Sequence, residues 1–238
     1  MRITGVICAR EIRSYLATPM AWGVTAIFLL LSGTSFTSYL ASIDYADTTI
    51  RGFLSAAQYL VLLFSAVLTM RQIAEERKLG TWELLLTVPV RDLEIVLGKF
   101  LGSLAILTGM LALTAYYPII LFVFGDPDPG PILTSYIGLF LLGAASTAAG
   151  VFASSLTANQ LVAVVVAGGG LFALWFLGPL SVFAPQPLGE FIAHFSLSTH
   201  FHGFVRGVVD TRAVVYYLSL VAVFLFLAVR STDTERWQ

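Results

Sequence analysis

The chain has 238 residues, enough for one domain or two small ones, but 58% of them are hydrophobic and only 11% are charged. A mean hydropathy of +0.87 excludes an ordinary soluble domain and marks a membrane-embedded chain. A formal net charge of -1 leaves no basic surplus for nucleic acid, and the single cysteine, Cys8, excludes an intrachain disulfide and any paired-cysteine metal or redox site.

Residues 1–18 predict an interfacial elbow helix, with Ile3, Val6, Ile7, Ile12 and Leu16 toward lipid and the arginines toward headgroups. Thr18-Pro19 reads as an N-cap followed by proline at the first helical position. Six spans are predicted at 20–40, 52–70, 99–124, 132–156, 161–184 and 213–230, each built on a run free of charged residues and histidine. About 20 residues cross the hydrocarbon core, and there only a helix satisfies every backbone N–H and C=O. The first span exceeds the ~7–15 apolar residues of a signal peptide, so it is expected to be retained. The last uncharged run, 213–229, is short, and Tyr216 and Tyr217 are expected at the interface.

"DYADTTIR" (44–51) and "GDPDPGP" (125–131) are short turns, and "TANQ" (157–160) is a tight hairpin. Residues 185–212 are too polar to cross and too apolar for a loop. They predict two short amphipathic helices re-entering the outer leaflet, one with Leu188, Phe191, Ile192 and Phe195, the other with Phe201, Phe204, Val205 and Val208. Gly143, Ala145, Ser146, Ala149 and Gly150 mark a packing face on the fourth span. The triplet Gly168 to Gly170 on the fifth is expected to be a contact point rather than a joint.

Ten Lys and Arg residues fall on the side of the N-terminus, and Arg51, Arg206 and Arg212 on the other. The positive-inside rule then puts both termini and residues 71–98 in the cytoplasm. No phosphate-binding G-x-x-x-x-G-K-[ST] loop occurs, so the chain is not expected to hydrolyse nucleotide. No catalytic or cofactor residue and no metal site is expected. The spans hold no buried carboxylate or histidine for ion coupling, and His200 and His202 do not share a helix face.

The stretch "RQIAEERKLGTWELLLTVPVRDLEIVLGK" (71–99) collects five basic and five acidic side chains in this oily sequence. They interleave with Ile73, Leu79, Trp82 and Leu84 to Leu86, and Ile73/Arg77, Glu75/Leu79 and Leu79/Glu83 stand four residues apart. Gly80-Thr81 breaks the pattern, Pro89 ends the next piece, and Asp92 is placed to cap a helix with Glu94 in its first turn. A plain linker needs no such order. A mixed-charge amphipathic helix at the membrane surface suits docking to a soluble protein.

Three segments, "REIRSYLATPMAWGVTAIFLLLSG" (10–33), "EERKLGTWELLLTVPVRDLEIVLGKFLG" (75–102) and "FHGFVRGVVDTRAVVYYLSLVAVFLFLAVR" (201–230), resemble permease subunits of the ABC-2 type. Within that family they look most like the gliding-motility and nitrous-oxide-maturation branch. The resemblance implies an all-α, six-span type V exporter fold in a single permease domain, 1–238, set in a bacterial cytoplasmic membrane. It implies a coupling helix around residues 73–83 seated in a separate ATPase, with Glu75, Glu76, Arg77, Lys78, Gly80, Thr81, Trp82 and Glu83 at the contact. Two ATPase copies would supply ATP and magnesium, and a second permease, identical or homologous, would complete the path, with an outer auxiliary subunit left open. Path or dimer candidates on spans one and five are Phe28, Ser32, Phe36, Gly168, Gly169, Phe172, Trp175 and Phe176. Their apolar, aromatic character points to an amphiphilic cargo or to force transmission rather than to a small ion. The alternative is a membrane scaffold that recruits a cytoplasmic complex without transport.

Overall fold

The computed structural model describes residues 2–42, 51–81, 90–125 and 127–233, and among these it is helical with no strand. An N-terminal helix, α1 (Arg2–Ala17), turns at Thr18 into α2 (Pro19–Ser42). Pro19 opens α2, where its missing N–H leaves no bond unmade. The Thr18 hydroxyl does not cap α2; it donates back to the Ser14 carbonyl at 2.7 Å.

Next come α3 (Arg51–Thr69), the short α4 (Ala74–Lys78), α5 (Asp92–Leu113), α6 (Tyr116–Phe124) and α7 (Pro129–Ser155). They are followed by α8 (Gln160–Ser181), α9 (Leu188–His194), α10 (Leu197–Val205) and α11 (Thr211–Asp233). Among the described residues six helical runs are long and apolar enough to cross a membrane: Pro19–Ser42, Arg51–Lys78, Asp92–Phe124, Pro129–Ser155, Gln160–Ser181 and Thr211–Asp233. Asp128 and Asn159 start α7 and α8 by accepting from the N–H groups of Gly130 and Leu161, each at 3.0 Å. Such side-chain oxygens satisfy donors that a helix end leaves orphaned.

The third span differs from expectation at both ends. It begins at Asp92, two turns before the predicted start, and Arg91 rather than Asp92 holds the N-cap position. The Glu94 carboxylate accepts from the Arg91 N–H at 3.4 Å, while Asp92 is buried. The helix then breaks at Thr114-Ala115. Pro118 has no N–H for the Thr114 carbonyl four residues earlier. That carbonyl accepts instead from the Tyr117 N–H at 3.1 Å and from the Tyr136 phenol on α7 at 3.0 Å.

α7 is the central helix, packed most extensively against α11 and α3. Its stripe from Leu141 to Val151 is buried on every face. Glycine makes that packing possible: a Cβ on Gly143 would stand 2.8 Å from Leu107 Cδ2, and one on Gly150 would overlap the Thr69 side chain. In lipid, where apolar surface alone does not drive helices together, such close approach supplies the association.

At one end of the bundle α9 and α10 form the two short helices expected. The Tyr216 phenol donates to the Phe195 carbonyl at 2.7 Å, Tyr217 to Leu197 at 2.9 Å, and Thr134 to Phe204 at 2.7 Å. Tyr217 is therefore a buried tie rather than an interfacial anchor, and Tyr216 stacks on His200 with ring centroids 3.9 Å apart. Phe201 and Phe204 are fully buried, whereas Leu188, Phe191, Phe195 and Val208 are exposed.

Candidate functional site

The opposite end gathers α1, the α3–α4 turn, the start of α5 and the end of α7. Ile73 and Ala74, which open the short helix, are wholly buried, and both backbone N–H groups donate to Ser154 Oγ on α7 at 3.0 Å. The Ser154 hydroxyl in turn donates to the Met70 carbonyl at 3.2 Å. One side chain thereby closes three backbone groups of the turn. A five-residue helix has no stability of its own, so α4 exists because α7 holds its first turn.

α4 ends as the sequence suggests. Leu79 is the C-cap, the Gly80 N–H donates to Arg77 O at 3.1 Å, and Gly80 has φ +70°. That left-handed conformation suits glycine, which has no Cβ to clash with the neighbouring carbonyl. Thr81 Oγ1 returns to the Glu76 carbonyl at 3.2 Å.

The charges divide into a buried root and an exposed tip. Lys99 on α5 is 1% exposed. Its ammonium lies 2.8 Å from Glu76 Oε1 and 3.3 Å from Glu11 Oε1, and donates to the Gln72 carbonyl at 2.6 Å. Arg10 bridges the same two carboxylates at 3.2 and 3.3 Å. Gln72 Nε2 donates to Ser103 Oγ at 2.7 Å, which donates to the Lys99 carbonyl at 3.0 Å. An ammonium this deep is tolerable only because every proton meets an acceptor and two carboxylates face it. Arg71 and Glu75 form a further pair at 2.8 Å, and Arg71 also reaches Met20 Sδ. Burial pushes the Tyr15 phenol up to about 12 against the opposing pull of the Arg71 charge, so Tyr15 stays neutral.

α1 packs extensively on α5. A Cβ on Gly98 would stand 2.7 Å from Ile7 Cβ, and one on Gly102 2.8 Å from Glu11 Cβ. Two glycines four apart clear the track that brings Glu11 to Lys99. The motif G-K-F-L-G is legible in the sequence as a close-packing signal. Ile7, expected to face lipid, packs inward, while Ile3, Val6 and Leu16 are exposed.

The eight docking candidates therefore separate. Glu76 is mostly buried in the ion cluster, Glu75 is held by Arg71, and Arg77 is half-buried. Lys78, Leu79, Gly80 and Thr81 are exposed, Leu79 by 67%. Trp82 and Glu83 lie outside the described residues, as do Leu84 to Leu86 and Pro89.

The path candidates separate too. Phe28 packs edge-on against Phe64, Ser32 shares a hydrogen bond of 3.0 Å with Tyr117, and Phe36 packs on Phe53 and Tyr117. Trp175 is buried against Tyr59 and Phe201. These four fill the core between helices of one chain and present no surface to a path in this conformation. Phe172 is half-buried, Phe176 is half-exposed, and a Cβ on Gly168, Gly169 or Gly170 would meet nothing within 4 Å. Within one chain the triple glycine is neither a helix contact nor a break, since α8 runs through it unbroken.

A family model of ABC-2 family transporter proteins matches residues 6–231, all but the ends of the chain. The chain belongs to that family. Comparison with curated proteins yields no match. An ABC-2 transporter with six apolar helical runs is a multi-pass membrane protein, and membrane components of this family generally work with an ATPase partner.

Proposed function

We propose that this chain is the permease subunit of an ABC-2 exporter, coupling ATP hydrolysis in separate ATPase subunits to export or to force transmission across the membrane. The observation that supports it most directly is the built root of α4. The tip at Lys78 to Thr81 is exposed among the described residues, while Ser154, Lys99 and Arg10 bind the other end to α7, α5 and α1. A rigid lever of this kind passes a push at its tip into two spans at once; a loose linker would absorb it. α4 is then the coupling helix and α1 the elbow helix, both at the cytoplasmic face, as the excess of Lys and Arg on that side supports. ATP and magnesium belong to the ATPase, and this chain performs no catalysis. The "EERKLGTWELL" segment supports a place near the gliding-motility and nitrous-oxide-maturation branch.

The test separates tip from root. Lys78→Glu with Leu79→Asp should abolish co-purification of the ATPase and leave the thermal midpoint of the permease unchanged, because neither side chain is packed. Retained ATPase in that double variant counts against docking at α4. ATP turnover that responds to a cargo, in the reconstituted complex, distinguishes an exporter from a scaffold.

The face of α8 that carries Gly168, Gly169 and the half-exposed Phe176, with Phe172 beside it, is the face we propose for a second permease subunit, since a Cβ on either glycine would meet nothing within 4 Å among the described residues. With Cys8 replaced by Ala, Gly169→Cys should form a disulfide-linked dimer on oxidation in native membranes, with Val223→Cys, exposed on α11, as the unlinked control. Cross-linking at Val223 and not at Gly169 would move the interface to α11.

A further inference from the structure

Residues 71–99 are neutral as a sequence, with five basic and five acidic side chains, but the surface they help to build is not. At the α4 end of the bundle the carboxylates of the described residues turn inward. Asp92 is buried, the Glu11 and Glu76 side chains are 17% and 19% exposed, and Glu75, Glu94 and Asp233 are half-buried. Arg10, Arg13, Lys78 and Arg91 are exposed. The asymmetry has a physical cause. The deeply buried Lys99 ammonium draws Glu76 and Glu11 to itself, and Arg71 holds Glu75. A buried charge must be paired, so it consumes acidic groups and leaves the cations outside.

The exposed cations surround an exposed apolar point. Arg10, Leu79 and Thr81 line one cleft, and Leu79 is 67% exposed. Lys78 precedes Leu79, and Arg13 stands three residues beyond Arg10, within reach of the same face of α1. Among the described residues at this end no exposed carboxylate offsets them.

We infer that α1 and α4 together dock on an acidic surface of the ATPase, with an apolar recess for Leu79 rimmed by Asp and Glu side chains that meet Arg10, Arg13 and Lys78. The inference rests on the reading of α4 as the coupling helix and adds the chemistry of the partner. It reverses the sign that the motif suggests. Glu75 and Glu76, placed at the contact by resemblance, already serve Arg71, Lys99 and Arg10 within the chain. Exposed rim charges act at long range, so they govern how fast the partners meet and how strongly salt opposes the meeting.

The test uses the full-length permease in phosphatidylcholine nanodiscs and the ATPase that co-purifies with it, separated and then rebound while association is followed by biolayer interferometry. The wild-type association rate should fall about tenfold between 0.1 and 1 M salt, as the reach of a surface charge shrinks from about 10 Å to about 3 Å. Arg13→Gln with Lys78→Gln should lower the rate about tenfold at 0.1 M salt and flatten its salt dependence. Arg13→Lys with Lys78→Arg keeps both charges and should behave as the wild type. Both positions are exposed, so the fold tolerates either pair. A wild-type rate indifferent to salt, or a Gln pair that binds as fast as the wild type or faster, would overturn the acidic partner surface while leaving docking at α4 in place. A Gln pair that binds the ATPase normally but loses phosphatidylglycerol from the purified chain would assign the cations to lipid headgroups instead, and overturn it too. A wild-type permease that retains no ATPase would overturn this inference and the coupling reading together.

Discussion

Lys99→Met should lower the stability of the purified protein by about 3–5 kcal/mol, the usual consequence of removing one member of a buried ion pair. The methionine fits the space of the lysine stem but carries no charge and no donors. Glu76 and Glu11 then face each other across the cluster, with only Arg10, itself 53% exposed, to neutralise them. The Gln72 carbonyl loses its 2.6 Å donor as well. Because Glu11 lies on α1, Gln72 and Glu76 in the α3–α4 region, and Lys99 on α5, the loss should appear as detachment of α1 and α4 rather than as unfolding of the spans. Thermal unfolding, with limited proteolysis between α1 and α2, reads both. Pairing Lys99→Met with Glu76→Gln removes one charge of each sign and should cost less than the two single changes added together. Strict additivity would show that the two groups do not interact across their 2.8 Å separation. Charge reversal at Glu76 belongs to the same class: it should disrupt the fold at this end, so loss of a partner in such a variant is no measure of docking.

Ser154→Ala should have the second-largest effect, and a more local one. The change deletes a single oxygen, yet it leaves the wholly buried N–H groups of Ile73 and Ala74 without an acceptor and the Met70 carbonyl without one of its donors. Each buried donor left unmet costs about 1–3 kcal/mol. The loss should fall on residues 70–79, raising their amide exchange while the exchange of α7 and α11 is unchanged. Ser155→Ala is the control, since the Ser155 hydroxyl donates only within its own helix, to the Phe152 carbonyl. On the proposed mechanism Ser154→Ala keeps the ATPase bound at the exposed tip but disconnects the lever from α7. ATP hydrolysis should then continue without being transmitted. Unchanged amide exchange at residues 70–79 would mean that α4 is held by something other than α7.

The division of labour within α4 follows from the same contacts. Ile73 and Ala74, which open it, have no exposed surface, while Lys78 and Leu79 at its end are exposed. A partner can grip the tip without paying to dismantle the root, and mixed charge around it favours orientation over raw affinity.

Some of this was decided by the sequence alone. The six spans follow from length and hydropathy, because a bilayer accepts only helices whose apolar run matches its thickness. Local stops are equally legible: Pro19 at the start of α2 and Gly80 ending α4, each a short-range consequence of backbone chemistry. The two short helices between residues 185 and 212 were legible as well, from a polarity unsuited to a span. What hydropathy cannot rank is direction. A phenylalanine facing lipid and one facing another helix are equally apolar, so Phe28, Phe36 and Trp175 turned inward while the triple glycine was left open. Nor does composition tell a docking carboxylate from a structural one. Glu76 and Lys99 stand 23 positions apart, and Lys99 and Glu11 stand 88 apart. Only the packing of α1 on Gly98 and Gly102 brings the three together, away from water, where their charges must pair with one another.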